Sequence, residues 1–171
     1  MKQRPQRKSR TIKAIDIFAQ ASRFSYADRF IRRHDLNPQE IYLMSGPSMV
    51  LSAFAIELFL KCLLHMERGC APNTHRLNVL YRQISNKRKR RIEELWAAHV
   101  NENSRDYDLA PYRKTPMPKD LIGCLRECRD AFQLLRYAYE DPDKQLFYLG
   151  ELPEILRRAI LEFNPDWPVA R

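Results

Sequence analysis

Glycine is scarce in this sequence, and the motifs that depend on it are missing. The chain of 171 residues holds four glycines, and none belongs to a glycine-rich phosphate loop or a nucleophile elbow. The sequence also lacks a helical metalloprotease motif and a carboxylate cluster suited to two metal ions. We therefore expect no cofactor and no metal site, and we expect no nucleotidyl transfer by this chain alone.

A secretion signal is the second missing feature. The N-terminus has no apolar segment of the signal-peptide type, because the first long hydrophobic run begins near Ser48. That run is interrupted by charges and is short compared with the roughly 20 apolar residues of a membrane span. We predict a cytoplasmic protein without a membrane span, whose four cysteines are reduced thiols in the core.

Alternating strand patterns are missing as well, and the long segments are rich in Leu, Ala, Ile, Arg and Glu. We predict an all-α fold, an up-and-down bundle of five or six helices. One domain is expected over residues 11–168, preceded by a basic disordered arm at residues 1–10. A long loop is expected at about 102–118, where three prolines occur and periodicity is weak.

Caps and apolar stripes predict the helix boundaries. Ser45 is a candidate N-cap because a proline follows in the first turn, and Gly69 suits the left-handed position that ends a helix. The predicted helices are Thr11–Arg33, Ser45–Arg68, a short helix capped by Thr74, Asn86–Asn101, Lys119–Glu140 and Leu152–Phe163. The second of these is apolar on nearly every face, so we expect it in the middle of the bundle.

Two charges interrupt this central helix. Glu57 and Lys61 lie one turn apart on one stripe, and burying a charge is costly unless it is paired and hydrogen-bonded. One interpretation is a salt bridge within the helix. The other is a polar site at the centre of the bundle, whose partners would be Arg136, Tyr137 and Glu140 from the second long helix.

Three stretches of the chain resemble the HEPN superfamily. They are Ala53–Leu64 (AFAIELFLKCLL), Thr74–Tyr81 (THRLNVLY, after a glycine turn) and Ala131–Glu140 (AFQLLRYAYE). HEPN domains are helical bundles, and many are ribonucleases of toxin–antitoxin and antiviral systems or accessory subunits of nucleotidyltransferases. The resemblance covers roughly residues 45–140. It implies a role with RNA or a nucleotide, a homodimer, and a cognate antitoxin or nucleotidyltransferase as a partner.

The nuclease members of that superfamily use an arginine followed after four to six residues by a histidine. Arg136 matches the arginine, but the chain continues with Tyr137 and no histidine follows at that spacing. A divergent metal-independent ribonuclease would use His75 or Glu140 beside Arg136, because an imidazole titrates near neutral pH and can move a proton. The alternative for His75 is a structural hydrogen bond that fixes the turn before the third helix.

Positive charge is concentrated in two segments. The formal net charge is +9, with five bases in the N-terminal arm and five in one later run. That run consists of Lys87, Arg88, Lys89, Arg90 and Arg91. A basic patch raises the affinity for RNA or DNA through counterion release, so we predict this run as a nucleic-acid contact. The alternative is a solvated helix face.

Three functional hypotheses follow from these patterns. The first is a HEPN-like, RNA- or nucleotide-associated helical module of a bacterial defence, toxin–antitoxin or stress system. The second is a noncatalytic dimeric interaction protein whose polar centre fixes pairing. The third is a divergent metal-independent endoribonuclease, and the missing histidine leaves open whether the chain is an enzyme.

Overall fold

The computed structural model describes residues 12–33, 36–103, 118–137 and 150–167, and every regular element within them is an α-helix. In chain order the helices are α1 (Ala14–Arg33), α2 (Pro38–Arg68), α3 (Leu77–Arg82), α4 (Asn86–Glu102), α5 (Leu121–Glu127), α6 (Ala131–Arg136) and α7 (Leu152–Phe163). The predicted all-α helical bundle is confirmed. The basic arm at 1–10, most of the predicted loop at 102–118 and Glu140 lie outside the described residues.

The central helix α2 begins earlier than the sequence predicted. Asn37 is its N-cap, and the side-chain Oδ1 accepts hydrogen bonds from the backbone N–H groups of Gln39 and Glu40, both at 3.0 Å. Glu40 completes a capping box by accepting from the Asn37 N–H at 2.9 Å. The predicted start at Ser45 is wrong. Pro47 lies inside the helix on an exposed turn, where water can satisfy the carbonyl that loses its donor.

Helix α2 is the core of the bundle and packs against α1, α3, α6 and α7. Its buried residues are Ser48, Ser52, Ala53, Ala55, Ile56, Glu57, Phe59, Leu60, Cys62, Leu63 and Leu64. By length and composition this helix could cross a membrane, yet 56% of its most apolar 18-residue stretch is buried inside the protein. Burial on nearly all sides is typical of the core helix of a globular protein.

Gly69 ends α2, as the sequence predicted. Its φ of 71° is left-handed, and its N–H donates to the carbonyl of His65 at 2.9 Å. The predicted Thr74 cap of α3 is wrong, because Arg76 holds the N-cap position and the Thr74 hydroxyl accepts from the Arg76 N–H at 3.2 Å. The turn before α3 carries His75 back to the side of α2.

The second long helix predicted from the sequence is two short helices. A turn at residues 128–130 separates α5 from α6, so the prediction of one helix over Lys119–Glu140 is wrong. Within this turn the carbonyl of Arg129 accepts a hydrogen bond from the N–H of Leu77 at 3.0 Å. A contact with the start of α3 thus replaces the pairing that this carbonyl would make inside a helix. The break lets α6 pack against α2 while α5 packs against α3 and α4.

Candidate functional site

A buried carboxylate on α2 is the centre of the first candidate site. Glu57 is 1% exposed, and its Oε1 accepts a hydrogen bond from Lys61 Nζ at 2.8 Å. The Nδ1 atom of His75 lies 2.9 Å from the same oxygen and 3.1 Å from Oε2. The ion pair within the helix and the histidine from the following turn therefore meet at one carboxylate, which satisfies its hydrogen-bonding capacity in the core.

The contact with Glu57 orients the His75 ring. A carboxylate accepts hydrogen bonds, so in the neutral ring Nδ1 carries the proton and Nε2 is the acceptor. The His75 side chain is 42% exposed, whereas Glu57 is buried behind it. The result is an imidazole held by a buried carboxylate, with its second nitrogen on the side of the ring away from that carboxylate.

Aromatic rings connect His75 to Arg136. The Phe132 ring on α6 stacks on Phe54 at a centroid distance of 4.6 Å and lies 6.0 Å from the His75 ring. The Arg136 guanidinium lies 4.4 Å from the centre of the same Phe132 ring and 5.5 Å from that of Tyr137. Arg136 thus makes cation–π contacts at the exposed end of α6, whereas the sequence predicted it as a partner of the buried carboxylate.

The basic run on α4 is divided between two roles. Arg88 turns into the bundle, where Nη1 donates to the Leu63 carbonyl at 2.9 Å and the guanidinium lies 5.3 Å from the centre of the Phe163 ring. Arg91 joins α4 to α7 through hydrogen bonds to Glu162 at 2.6 and 2.9 Å, and these bonds lower the pKa of that carboxyl. Both cations therefore stabilise the bundle. The other members, which form no ion pair within the described part of the chain, are Lys87, Lys89 and Arg90.

A cavity of about 420 Å³ opens between α3, α4 and α5, and we call it the basic groove. The four cations that line it are Arg82, Lys89, Arg90 and Arg126. Glu93 is the one carboxylate among its lining residues, so the lining is positive on balance. Folding thus brings Arg82 and Arg126 to the run on α4. No pattern in the sequence indicated these two residues, because their position depends on how α3 and α5 pack.

A second, wider cavity of about 740 Å³ adjoins the basic groove at the start of α4. Arg82, Asn86 and Lys89 line both cavities, so the two lie side by side. Arg68 and Lys87 line only the wider one. The positive surface therefore extends beyond the basic groove and around the N-terminus of α4.

The cysteines are mainly packing residues. Burial raises the pKa of Cys62 to about 12, and its thiol donates to the Ala14 carbonyl at 3.3 Å. Cys124 and Cys128 are also buried, whereas Cys70 is exposed, contrary to the prediction of a core thiol. Within the described residues, no group of three or more His, Cys, Asp or Glu side chains is placed to hold a metal ion.

The three stretches that resemble HEPN domains meet in space. The first contributes Glu57 and Lys61, the second His75, and the third Phe132 and the guanidinium that packs on it. The last three residues of the third stretch lie outside the described residues. Comparisons of the chain with protein-family models, curated proteins and solved structures found no match, and membership of the superfamily stays a prediction.

Proposed function

We propose that the protein is an RNA-associated helical module that holds the phosphate backbone in the basic groove. The observation that carries this proposal is the convergence of four cations from three helices on one concave surface. Cations that line a groove focus the field of the protein more strongly than cations spread over a convex surface, and they attract a polyanion. The resemblance to HEPN domains supports the same class of partner.

The fold leaves the charge of this groove available. Arg82, Arg90 and Arg126 are exposed and Lys89 is half-buried, whereas Arg88 and Arg91 are occupied within the bundle. Each cation that contacts a phosphate of a single strand contributes about 0.7 to the slope of log affinity against log salt concentration. Four such contacts predict a slope of about −3.

Binding of a fluorescein-labelled single-stranded RNA at several salt concentrations tests the proposal. The combined substitutions Arg82→Ala, Arg90→Ala and Arg126→Ala should weaken binding and reduce the magnitude of the slope by about 2. A matched control removes three exposed cations away from the groove, one directly before α1, one on α1 and one on α7, and should retain most of both quantities. Its substitutions are Lys13→Ala, Arg23→Ala and Arg158→Ala. Equal losses in the two variants, or no binding by the wild type, contradict the proposal.

A second function, metal-independent RNA cleavage, is favoured by the contact between Glu57 and His75. In this reaction a ribose 2′-oxygen loses its proton and attacks the adjacent phosphorus to form a 2′,3′-cyclic phosphate, and the 5′-oxygen leaves and takes up a proton from water. Nε2 of His75 would accept that proton while Glu57 holds the ring, as in other carboxylate-oriented imidazoles. Arg136 would stabilise the negative charge that develops on the phosphate.

Cleavage of mixed RNA substrates in EDTA separates this function from binding alone. We expect His75→Ala and Arg136→Ala to lose activity while the matched control His65→Ala keeps it, and thermal unfolding should show that each variant is folded. Activity that survives both substitutions contradicts the assignment of these residues. If the wild type binds RNA in a salt-sensitive way but does not cleave it, the binding module is the better hypothesis. If RNA neither binds nor is cleaved, the noncatalytic pairing module becomes the better hypothesis, and sedimentation would test it.

A further inference from the structure

The basic groove has an apolar wall as well as cations. Ile122 on α5 lines the groove and is 49% exposed. Leu125 and Tyr81 line the same cavity but are buried, so they form its floor. A phosphate alone would need only cations and hydrogen-bond donors. The exposed isoleucine adds an apolar surface that an uncharged part of a ligand can contact.

Hydrogen-bond acceptors lie in the same cavity. Glu93 accepts a hydrogen bond from the Tyr81 hydroxyl on Oε1 at 2.8 Å, and Oε2 accepts none among the described residues. Burial and the neighbouring carboxylate raise the pKa of Tyr81, so its hydroxyl stays a donor. Asn78 also lines the cavity, and its Oδ1 is buried without a hydrogen bond in the part of the chain that the structure describes. The Asn78 oxygen is covered by the protein, so the acceptor that suits the N–H and O–H donors of a nucleobase or a ribose is Glu93.

We propose that the basic groove takes one unstacked nucleotide of single-stranded RNA. The base lies against Ile122, a donor group of the base or ribose pairs with Glu93, and the neighbouring phosphates contact Arg90 and Arg126. This inference rests on the proposed function and adds the class of substrate to it. The volume of the basic groove, about 420 Å³, falls in the range of small-molecule sites.

Duplex RNA fits this site less well for a physical reason. A paired base must leave its stack to reach Ile122. Breaking the base pair costs free energy, and binding of a single strand does not carry this cost. A duplex therefore contacts only the cations at the rim. Stacking of a base on an aromatic ring changes affinity by roughly 5- to 150-fold in single-strand complexes. An aliphatic side chain makes a weaker contact, so we expect the single strand to bind about 5-fold more tightly than the duplex.

Fluorescence anisotropy with a labelled 12-nucleotide single strand and its blunt duplex tests the inference. Ile122→Ser should weaken single-strand binding about 5-fold, at the lower end of the range for aromatic stacking, and leave duplex binding unchanged. Leu43→Ser is the matched control, because Leu43 is an aliphatic residue 58% exposed on α2 and away from the groove. It should change neither affinity. The Trp96 indole donates to the carbonyl of Lys119 just before α5 at 2.9 Å, so tryptophan fluorescence reports whether the groove stays folded.

The outcomes distinguish this inference from the proposed function. Equal affinity for single strand and duplex, unchanged by Ile122→Ser, overturns the nucleotide site while RNA association stands. If neither the single strand nor the duplex binds, the nucleotide site and the proposed RNA association are both wrong. Competition by adenosine 5′-monophosphate distinguishes a site that binds a free nucleotide from a site that requires an RNA strand. Displacement that depends on Ile122 means that a free nucleotide suffices, and Ile122-dependent binding without displacement means that the strand is required.

Discussion

Lys61 offers a direct test of the electrostatics at the centre of the bundle. The substitution Lys61→Met keeps a long side chain and removes the ammonium group, so Glu57 would remain 1% exposed with His75 as its partner. Removing one member of a buried ion pair costs about 3–5 kcal/mol when the other charge is left uncompensated. Because His75 still donates a hydrogen bond, we expect the lower end of this range, about 3 kcal/mol of unfolding free energy.

The double variant Glu57→Leu with Lys61→Met gives the contrasting case. It removes both charges together, so no unpaired carboxylate remains in the core. Replacement of a complete buried ion pair by apolar residues of similar volume is often close to neutral. We therefore expect the double variant to lie within about 1 kcal/mol of the wild type and to be more stable than the single variant.

Urea unfolding at neutral pH, followed by circular dichroism and tryptophan fluorescence together, measures both differences. Coincident transitions are needed before a single free energy is extracted from the curves. A Lys61→Met variant within about 0.5 kcal/mol of the wild type would contradict this prediction. So would a double variant that is less stable than the single one.

Three further predictions concern local features. Asn37→Ala should lower the unfolding free energy by about 1 kcal/mol, because the Asn37 side chain accepts from two backbone N–H groups of α2; an unchanged urea midpoint contradicts this. Gly69→Ala should cost about 1 kcal/mol, since a φ of 71° strains alanine even though no atom lies within 4 Å of the added Cβ. Gly69→Asn should cost less, and the reverse order in urea would be inconsistent with this account. Iodoacetamide at pH 8 should label Cys70 in the native protein and Cys62 only after unfolding, because the folded Cys62 thiol has a pKa of about 12. Mass spectrometry would identify the labelled cysteines, and labelling of Cys62 but not of Cys70 in the native protein would contradict this prediction.

Helix ends that depend on neighbouring residues were predictable from the sequence. Helix α7 spans Leu152–Phe163 as predicted, and α4 begins at Asn86 as predicted. Gly69 ends α2 because glycine adopts a left-handed φ without strain. At the start of α2, however, the stretch Asn37–Glu40 carries its own capping-box pattern, whereas the serine and proline at positions 45 and 47 predict a start that is too late.

Features that depend on tertiary contacts were not predictable. The break between α5 and α6 follows from the hydrogen bond between Arg129 and Leu77, which are distant in sequence. Apolar periodicity continues across that break and therefore cannot reveal it. Helix packing likewise decides that Arg88 faces inward and that Arg126 joins the basic groove. From composition alone, all cations of a run are equivalent. The structure distinguishes the cations that make contacts within the bundle from those that are available to a ligand.

The candidate site at His75 was predictable from the sequence only in part. The spacing of Glu57 and Lys61 predicted an ion pair along one stripe of α2, and the structure contains it. His75, which the sequence offered either as a catalytic residue or as a structural hydrogen bond, contacts the same carboxylate. Arg136 was expected at the buried carboxylate, although Phe132 precedes it by four residues, a spacing at which two side chains meet on one helix, and the guanidinium packs on that ring and on Tyr137.

Ultraviolet crosslinking of a single-stranded RNA to the wild-type protein, followed by mass spectrometry of the peptides, would locate the RNA on the protein. We expect crosslinks in two regions that line the basic groove, residues 78–93 and residues 122–126. The triple variant at Arg82, Arg90 and Arg126 should lose them. Crosslinks that fall mainly on the N-terminal residues 1–10, and that persist in this variant, would contradict the claim that the basic groove is the RNA-binding site.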